Sequence, residues 1–547
     1  MIQVFKPSIG KKEIKAVSEV LKSGWLGLGP RTAEFEKRFA RFVGSKYAVG
    51  VNSGTAALHL ALSVLDIGRS DEVIVPTISF VSTAHVVLYN GARPIFADVY
   101  EDTLCIDVND IKKKITRKTK AIIPVHCYGH PCEMDQILAL AKKKGRYVIE
   151  DAAHACGARY KGKRIGSLAS DLTCFSFHAV KNLTCGEGGM ITTNNKVFYE
   201  KLLRLRWLGI SKDTWSRTET AKTYAWQYWV NELGFKAHLN DIASAIGMVQ
   251  LERLEAMNSK RREIVKRYNR AFKDLRDIVT PVQKKYVQSS WHIYHVKVPD
   301  RDKLIGFLKT RGIAPGVHYY PIHMQPLYKR YKAKCPVAEK VWQNILSLPV
   351  YPDLKATQAT KVIKTLKEFC AQTLLKEDYL FGLRIKLKKL ESCDLERVRK
   401  WRNQNRHNFF TDKIITPDQQ QAWFNTYIKK QNEKMYIIIT KAREIPIGVI
   451  SIYDIDFKKN IARIGRIIIG NKRYRGRGLA VDAVKAVLKF AFNMLKLKKI
   501  SLEVFATNSR ACRLYRRCGF RQESRRFIIR GDRRREVILM SISRIKI

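Results

Sequence analysis

Short apolar runs alternate with amphipathic stretches through the first part of the chain. Tyr47–Val51, Val73–Pro76, Pro94–Asp98, Ala121–Val125 and Tyr147–Glu150 are apolar on both alternating faces. That pattern predicts strands buried on both sides. Between them the apolar positions recur at helical spacing, in Lys11–Ser23, Thr32–Val43, a helix opened by Ser53-Gly54-Thr55, Ser82–Asn90, residues 108–117 and Met134–Lys144. Strands separated by helices over more than a hundred residues predict an α/β fold, its sheet largely parallel and covered on both faces. Ligands in such sheets sit beyond the carboxyl ends of the strands. Phe80, Asp151, His154 and Lys181 all fall just after predicted strands.

The stretch Asp171–Met190 holds one lysine, Lys181, between the apolar TCFSF and MITT runs, followed by Gly186-Glu187-Gly188-Gly189. A lysine between two buried strands is desolvated, which lowers its pKa and makes its amine a nucleophile of the Schiff-base kind. A glycine-punctuated loop, Gly24 to Pro30, carries a single aromatic, Trp25, at a place where a loop closes over a site or simply turns. Residues 195–275 are expected to be mostly helical, with a long basic helix from Asp241 through Arg270. The pattern then becomes a small α+β region: a strand at Trp291–Val298, a helix at Asp302–Arg311, a strand at Ile313–Tyr319 and a last helix at Lys355–Phe369. His318, Tyr319, Tyr320 and His323 share one loop.

Residues 371–382 are expected to link this part to a fresh pattern. Strands follow at Leu383–Leu390, Met435–Thr440, Ile447–Ile455, Ala462–Ile469 and Ile500–Phe505, with helices from Asp394 to Asn403 and near Pro417–Lys430. Arg473-Tyr474-Arg475-Gly476-Arg477-Gly478 opens an amphipathic helix, where free N–H groups favour a pyrophosphate.

The 547 residues include 102 Lys and Arg against 49 Asp and Glu, a formal charge of +53. Residues 1–370 carry 60 basic and 33 acidic side chains, and residues 371–547 carry 42 and 16. Basic residues are spread along the chain without a block, so solvated faces are the expectation and a nucleic-acid partner is not. Anionic small ligands still gain from such a field. No apolar run is long enough to span a bilayer, and the first residues lack a signal-peptide pattern. The 11 cysteines are scattered without metal spacing, so reduced thiols, a cytoplasmic location and no metal are expected.

GWLGLGP, NSGTAALHLAL, PTISFVST, EDAAHA, SFHAVKNLTCGEGG and HYYPIH carry a resemblance over residues 1–370 to the DegT/DnrJ/EryC1/StrS family of pyridoxal-phosphate (PLP) sugar aminotransferases. The resemblance implies an aspartate-aminotransferase-like fold: a large PLP-binding domain at 1–250, a small part at 251–370, and a homodimer whose subunits share sites. It implies that Lys181 joins the cofactor and shuttles a proton, that Asp151 keeps the pyridine nitrogen protonated, and that Phe80 stacks on the ring. Thr55, Ala56 and the Ser176 hydroxyl would bind the phosphate. His154 would lie near the ring or substrate and Glu187 near the sugar. Trp25, His318 and Tyr320 are substrate-binding candidates, with a packed turn as the alternative for the last two. In GFKAHLND, Lys236 stands where the family often has an asparagine reaching the neighbouring subunit's phosphate, and His238 where an arginine is common.

The glycine loop, Asn508 and Tyr515-Arg516-Arg517-Cys518-Gly519-Phe520 resemble the GNAT acetyltransferases, an α/β fold expected over residues 383–547. The resemblance implies that Arg473, Arg475, Gly476, Arg477 and Gly478 hold the acetyl-CoA pyrophosphate. It places Asn508 by the pantetheine arm and makes Tyr515 the general acid for the departing thiolate. LRIKLKKLESCDLERVRKWRN and QAWF look closest to acetyltransferases of the pseudaminic-acid type, and ribosomal-protein acetyltransferases share much of the pattern. No general base is evident: Glu503 and Glu536 are candidates, each equally a strand-surface charge, and a water-mediated base is an alternative. Together these imply amination of a UDP-linked 4-keto-6-deoxy sugar with glutamate as donor, followed by N-acetylation of the new amine. The alternative is a dTDP- or GDP-linked sugar, with the second half acetylating a different amine, including one on a protein.

Overall fold

The computed structural model describes residues 1–211, 228–275, 277–374, 379–530 and 533–544. The chain divides into two compact units, Met1–Leu366 and Lys367–Ile547. Among the described residues no helix is long and apolar enough to cross a membrane.

The first unit runs α1 (Lys11–Ser23), α2 (Pro30–Val43), β1 (Tyr47–Val51), α3 (Gly54–Val64), β2 (Glu72–Pro76), α4 (Ser82–Tyr89), β3 (Arg93–Ala97), α5 (Val108–Lys114), β4 (Thr119–Ile122), α6 (Met134–Lys144) and β5 (Tyr147–Asp151). The short strands β6 (Arg159–Tyr160) and β7 (Lys163–Arg164) precede β8 (Leu172–Ser176), β9 (Gly189–Thr193), α7 (Lys196–Leu205) and α8 (Asp241–Phe272). A smaller region follows: β10 (Val287–Gln288), β11 (Tyr294–Lys297), α9 (Arg301–Thr310), α10 (Pro336–Val341), β12 (Ile345–Leu348) and α11 (Ala356–Leu374).

Seven strands form one sheet in the order β1-β9-β8-β5-β4-β2-β3. The ladders from β8 through β5, β4 and β2 to β3 are parallel, and β9 is antiparallel to both its neighbours. β2, β8 and β9 are buried at every residue, as continuous apolar runs require. The carboxyl ends of β5 and β8 therefore lie side by side, with Asp151 paired to Cys174 in register.

The N-terminus of α8 is tied to α2. Buried Asp241 accepts the Thr32 amide at 2.9 Å, the Thr32 hydroxyl at 2.7 Å and the Arg31 amide at 3.1 Å. The Asn240 side chain caps the same turn by accepting the Ala243 amide at 2.8 Å. α8 runs unbroken across residue 250.

Several expected elements differ. Residues 313–319 form no strand; Ile313 and Gly316 make single bridges, to Ile2 and Ser347. Gly316 packs under the His318 ring, where an added Cβ would lie 2.6 Å from Cε1, so the chain turns there instead of extending. The strand expected from Trp291 begins only at Tyr294, because Trp291 takes a left-handed φ of 50°. Of the expected helical stretch 195–275, the described residues 206–211 and 228–240 hold no helix, and 212–227 lie outside the described residues. The expected linker 371–382 instead carries the last residues of α11 and the first strand of the second unit, with 375–378 outside the described residues.

The second unit runs β13 (Tyr379–Phe381), β14 (Ile385–Lys389), α12 (Leu395–Gln404), α13 (Pro417–Tyr427), β15 (Lys434–Thr440), β16 (Pro446–Asp456) and β17 (Ile461–Ile469). It continues with α14 (Leu479–Lys489), β18 (Lys499–Phe505), α15 (Ser509–Arg517), β19 (Arg521–Arg530) and β20 (Arg533–Ser543). The sheet order is β13-β14-β15-β16-β17-β18-β20-β19. Every ladder is antiparallel except β17–β18, which is parallel and pairs only 461–463 with 499–501. Past Arg463 and Ser501 the two strands part and leave a cleft. A bulge accompanies the parting: Arg466, at φ 49°, and Ile467 together stand opposite Ile450 alone.

Candidate active sites

At the carboxyl end of β5 the Asp151 carboxylate is buried. The Thr83 hydroxyl donates to its Oδ2 at 2.9 Å and the Ala153 amide to its Oδ1 at 3.1 Å. Burial raises its pKa against the pull of those two donors and of the Lys181 charge. Lys181 follows β8 through Phe177–Val180. Burial pushes its pKa down to about 8, with the Asp151 charge working the other way. A lysine so placed is partly neutral near physiological pH and able to attack a carbonyl carbon.

Aromatic rings wall this centre. Phe80, between β2 and α4, leaves 56% of its surface exposed, and its ring centroid lies 6.3 Å from that of Tyr319. Buried His154 approaches the Tyr319 hydroxyl with Nε2 at 3.2 Å, and the two rings are nearly parallel. On its other side His154 meets the His292 ring at 4.6 Å, and His292 stacks on Phe5 at 5.3 Å. Burial, with the Lys181 charge, holds His154 and His292 well below the usual histidine range, so both are neutral. His154 Nδ1 is buried and has no hydrogen-bond partner among the described residues.

The start of α3 faces the end of β8. Ser53 caps α3 by accepting the Ala56 amide at 3.0 Å, so that amide is already engaged and the amides ahead of it are the ones presented. The Thr55 and Ser82 hydroxyls are 2.7 Å apart. Gly54 presses on Ser176, where an added Cβ would lie 2.7 Å from the serine Cβ. Gly189 passes Ser53 with no room for a side chain, an added Cβ lying 2.5 Å from the Ser53 carbonyl oxygen.

The other candidates are placed differently. The Trp25 indole donates to the Leu28 carbonyl at 2.9 Å, closing its own loop. Exposed Glu187 faces His178 at 3.6 Å. The Lys236 ammonium lies 3.4 Å from the Trp207 ring centroid, and His238 meets the same ring edge-on at 4.4 Å. His318 is held by Ser347 at 2.9 Å, and burial pushes its pKa down to about 4. Tyr320 packs its ring against Trp342. His323 is braced between Thr77 and Glu339. Sequence placed Tyr319 in the His318–His323 loop without a role and did not single out Thr83 or His292. Thr83 and Tyr319 lie inside recognisable motifs, whereas nothing around His292 marked it.

In the second unit the parted strands open a chamber of about 570 Å³. Gly465 to Ile468 of β17, Glu503 to Phe505 of β18, and Asn508, Ala511 and Tyr515 at α15 line one side. Tyr515 is buried, which raises its phenol pKa. The Asn508 side chain caps α15 by accepting the Ala511 amide at 3.1 Å. Gly476 and Gly478 take left-handed φ of 79° and 74° just before α14, and an added Cβ at Gly476 would meet nothing within 4 Å. Arg473 and Arg477 are exposed there. The Arg475 guanidinium instead turns inward, donating to the Ile469 carbonyl at 2.9 Å and to Asn405 at 3.2 Å. It braces the loop from inside.

Residues 7–367 match the DegT/DnrJ/EryC1/StrS aminotransferase family, and residues 384–521 match the acetyltransferase (GNAT) domain. An uncharacterized protein of Methanocaldococcus jannaschii is 43% identical over 378 residues, covering 67% of this chain and 97% of its own length. The spore coat polysaccharide biosynthesis protein SpsC of Bacillus subtilis is 42% identical over 373 residues, 66% of this chain and 95% of its own. Among solved structures, the sugar aminotransferase CalS13 from Micromonospora echinospora superposes with a TM-score of 0.63 at 30% identity, over 67% of this chain and all of that one. Enzymes of the first family use PLP and GNAT enzymes use acetyl-CoA. The first site fits PLP on its own geometry: an open aromatic face at Phe80, an orphaned buried nitrogen on His154, and a glycine-lined helix start beside Ser176. The chain belongs to the DegT/DnrJ/EryC1/StrS aminotransferase family over residues 7–367 and carries a GNAT acetyltransferase domain over residues 384–521.

Proposed function

We propose that the chain catalyses two successive steps on one sugar. The first unit aminates a UDP-linked 4-keto-6-deoxy sugar with glutamate as amine donor. The second acetylates the new amine from acetyl-CoA, as in pseudaminic-acid-type amino-sugar synthesis. The observation that carries the first step is Lys181: a desolvated amine that feels the charge of buried Asp151.

Bound PLP supplies an aldehyde for the lysine and a pyridinium ring that draws electrons. Lys181 would offer its neutral amine to that aldehyde and, when free, would serve as the base that moves a proton on the bound substrate. Asp151 would keep the ring nitrogen protonated, and Thr83 orients that carboxylate. Phe80 would offer an apolar face to the ring, and neutral His154 would offer Nδ1 to the ring or substrate. Gly54, Thr55 and Ser176 receive the phosphate at the start of α3. Glu187, Trp25, His318 and Tyr320 border the sugar.

A homodimer is part of this proposal. Trp229, Val230 and Leu233 leave 64%, 61% and 87% of their surface exposed, more apolar surface than one loop normally leaves in water. They flank Lys236, which would meet a phosphate from the facing subunit. In the second unit Arg473, Arg477 and the amides around Gly476 and Gly478 hold the pyrophosphate, Asn508 lies by the pantetheine arm, and Tyr515 protonates the departing thiolate.

Lys181→Ala tests the first step. The variant is expected to lose the visible absorbance of bound PLP and all amination, and to keep acetylation of a supplied 4-amino sugar nucleotide. Surviving amination would sink the proposal. A product panel over UDP-, dTDP- and GDP-linked 4-keto sugars, read by mass spectrometry, decides the nucleotide.

A further inference from the structure

An amine acceptor arrives at neutral pH as an ammonium, with no lone pair to attack a thioester. Acetyl transfer therefore needs a proton acceptor beside the chamber of the second unit. Five of the side chains lining that chamber titrate: Arg402, Tyr453, Arg466, Glu503 and Tyr515. Arginine stays protonated. Burial raises both tyrosines, so neither phenol is an anion at neutral pH. Glu503 is what remains among the described lining residues. The other sequence candidate, Glu536, is not part of the lining and pairs with Arg525 across the β19–β20 hairpin at 3.1 Å.

Glu503 also stands in the right place along its strand. The parallel ladder between β17 and β18 ends at Arg463 and Ser501, so Glu503 is two residues past the parting point, facing the opened cleft with Phe505. Its carboxylate is held by Arg463 of β17 and Arg526 of β19, each at 2.9 Å. Arg463 also faces Asp454 at 3.9 Å. The Arg526 side chain is 61% exposed, so its pairing is worth little.

We propose that Glu503 is the proton acceptor of the acetyl transfer, taking a proton from the acceptor's ammonium at the mouth between β17 and β18. This rests on the proposed second step and names the catalytic base within it. One N–H proton passes to a Glu503 oxygen. The freed lone pair forms the C–N bond to the acetyl carbon, and the C–S bond breaks with its electron pair going to sulfur. Sulfur takes the Tyr515 phenolic proton, the second N–H proton restores that phenol, and Glu503 returns its proton to solvent. The products are the amide, the free thiol and one released proton.

The test uses the full chain with two acceptors, a UDP-linked 4-amino-4,6-dideoxyhexose and hydroxylamine, whose nitrogen is already unprotonated at neutral pH. Glu503→Gln is expected to lower kcat on the amino sugar about a hundredfold or more. Its remaining rate should climb with pH, KM for acetyl-CoA should hold, and the deficit on hydroxylamine should be smaller by about tenfold. An unchanged KM for acetyl-CoA verifies that the second unit of the variant is folded. Two results would overturn Glu503: near-wild-type turnover of the amino sugar by the glutamine variant, or equal losses on both acceptors. A wild-type chain inert toward the amino sugar would count instead against the proposed second step, so the two failures are distinguishable.

Discussion

Lys181 owes its lowered pKa to burial, and the Asp151 charge only softens the effect. The sign fixes a pH dependence. Near pH 8 the folded-state amine is half neutral, whereas an ordinary lysine loses its proton around pH 10.5. Capture of PLP by the apoenzyme should therefore accelerate as pH rises through about 8 and level off above it. The same group makes the stability of the apoprotein rise with pH from about 8 to about 10.5, since the unfolded chain holds a proton there that the folded one has released. Stopped-flow absorbance across that range checks the first point; a capture rate still climbing past pH 10 would mean that Lys181 is solvated. Asp151 gives a second residue-scale prediction. Thr83→Val leaves its Oδ2 short of a donor in a buried place, which should cost about 1–3 kcal/mol in the unfolding transition of the first unit. Urea denaturation followed by far-UV dichroism measures it. Sequence made Lys181, Asp151 and Phe80 legible because each sits in a motif at a strand end. It did not reveal Thr83 as their partner or the His292–His154–Tyr319 stack, because those contacts join segments 68 to 165 residues apart. Arg475 shows the converse: in the proposed pyrophosphate loop its charge turns inward to hold Ile469 and Asn405, which no sequence pattern announces.

At the scale of elements, periodicity found the buried strands and the long helix well, since burial on both faces and a sustained helical repeat are strong local signals. It failed at 313–319 and at Trp291. There an apolar, aromatic run looks like a strand, while left-handed or single-bridge geometry bends it to present His318 and Tyr320. It also put a linker where α11 and β13 lie. Two elements meet at the proposed phosphate site, α3 and β8, with Gly54 against Ser176. Gly54→Ala should push them apart, because the added carbon meets the body of a short side chain and the backbone behind it. PLP affinity should fall about tenfold, an energy of about 1.4 kcal/mol, with helix content unchanged; equilibrium dialysis reads the first and dichroism the second. Tight PLP binding by this variant would mean that the phosphate lies elsewhere. Asn240→Ala makes a separate test of the α8 cap, with an expected loss of about 1 kcal/mol and no change in PLP affinity.

At the scale of the whole molecule, both units are strongly basic, and the charge of +53 is shared almost evenly between residues 1–370 and 371–547. The proposed substrates of both steps are anionic through their diphosphates, so a common positive field attracts the same compound twice and covalent linkage keeps the intermediate near its second site. Exposed charges act only within a Debye length, about 10 Å at 0.1 M salt. The field should therefore appear in substrate capture and vanish from the chemical step. Raising sodium chloride from about 0.05 to about 0.5 M should raise KM for the nucleotide sugar about fivefold in each half-reaction and change kcat less than about twofold. Acetyl transfer to uncharged hydroxylamine, at saturating acetyl-CoA, should stay level over the same range. If the nucleotide sugar's KM is as insensitive to salt as that of hydroxylamine, the basic excess only coats solvated faces and has no part in gathering substrate.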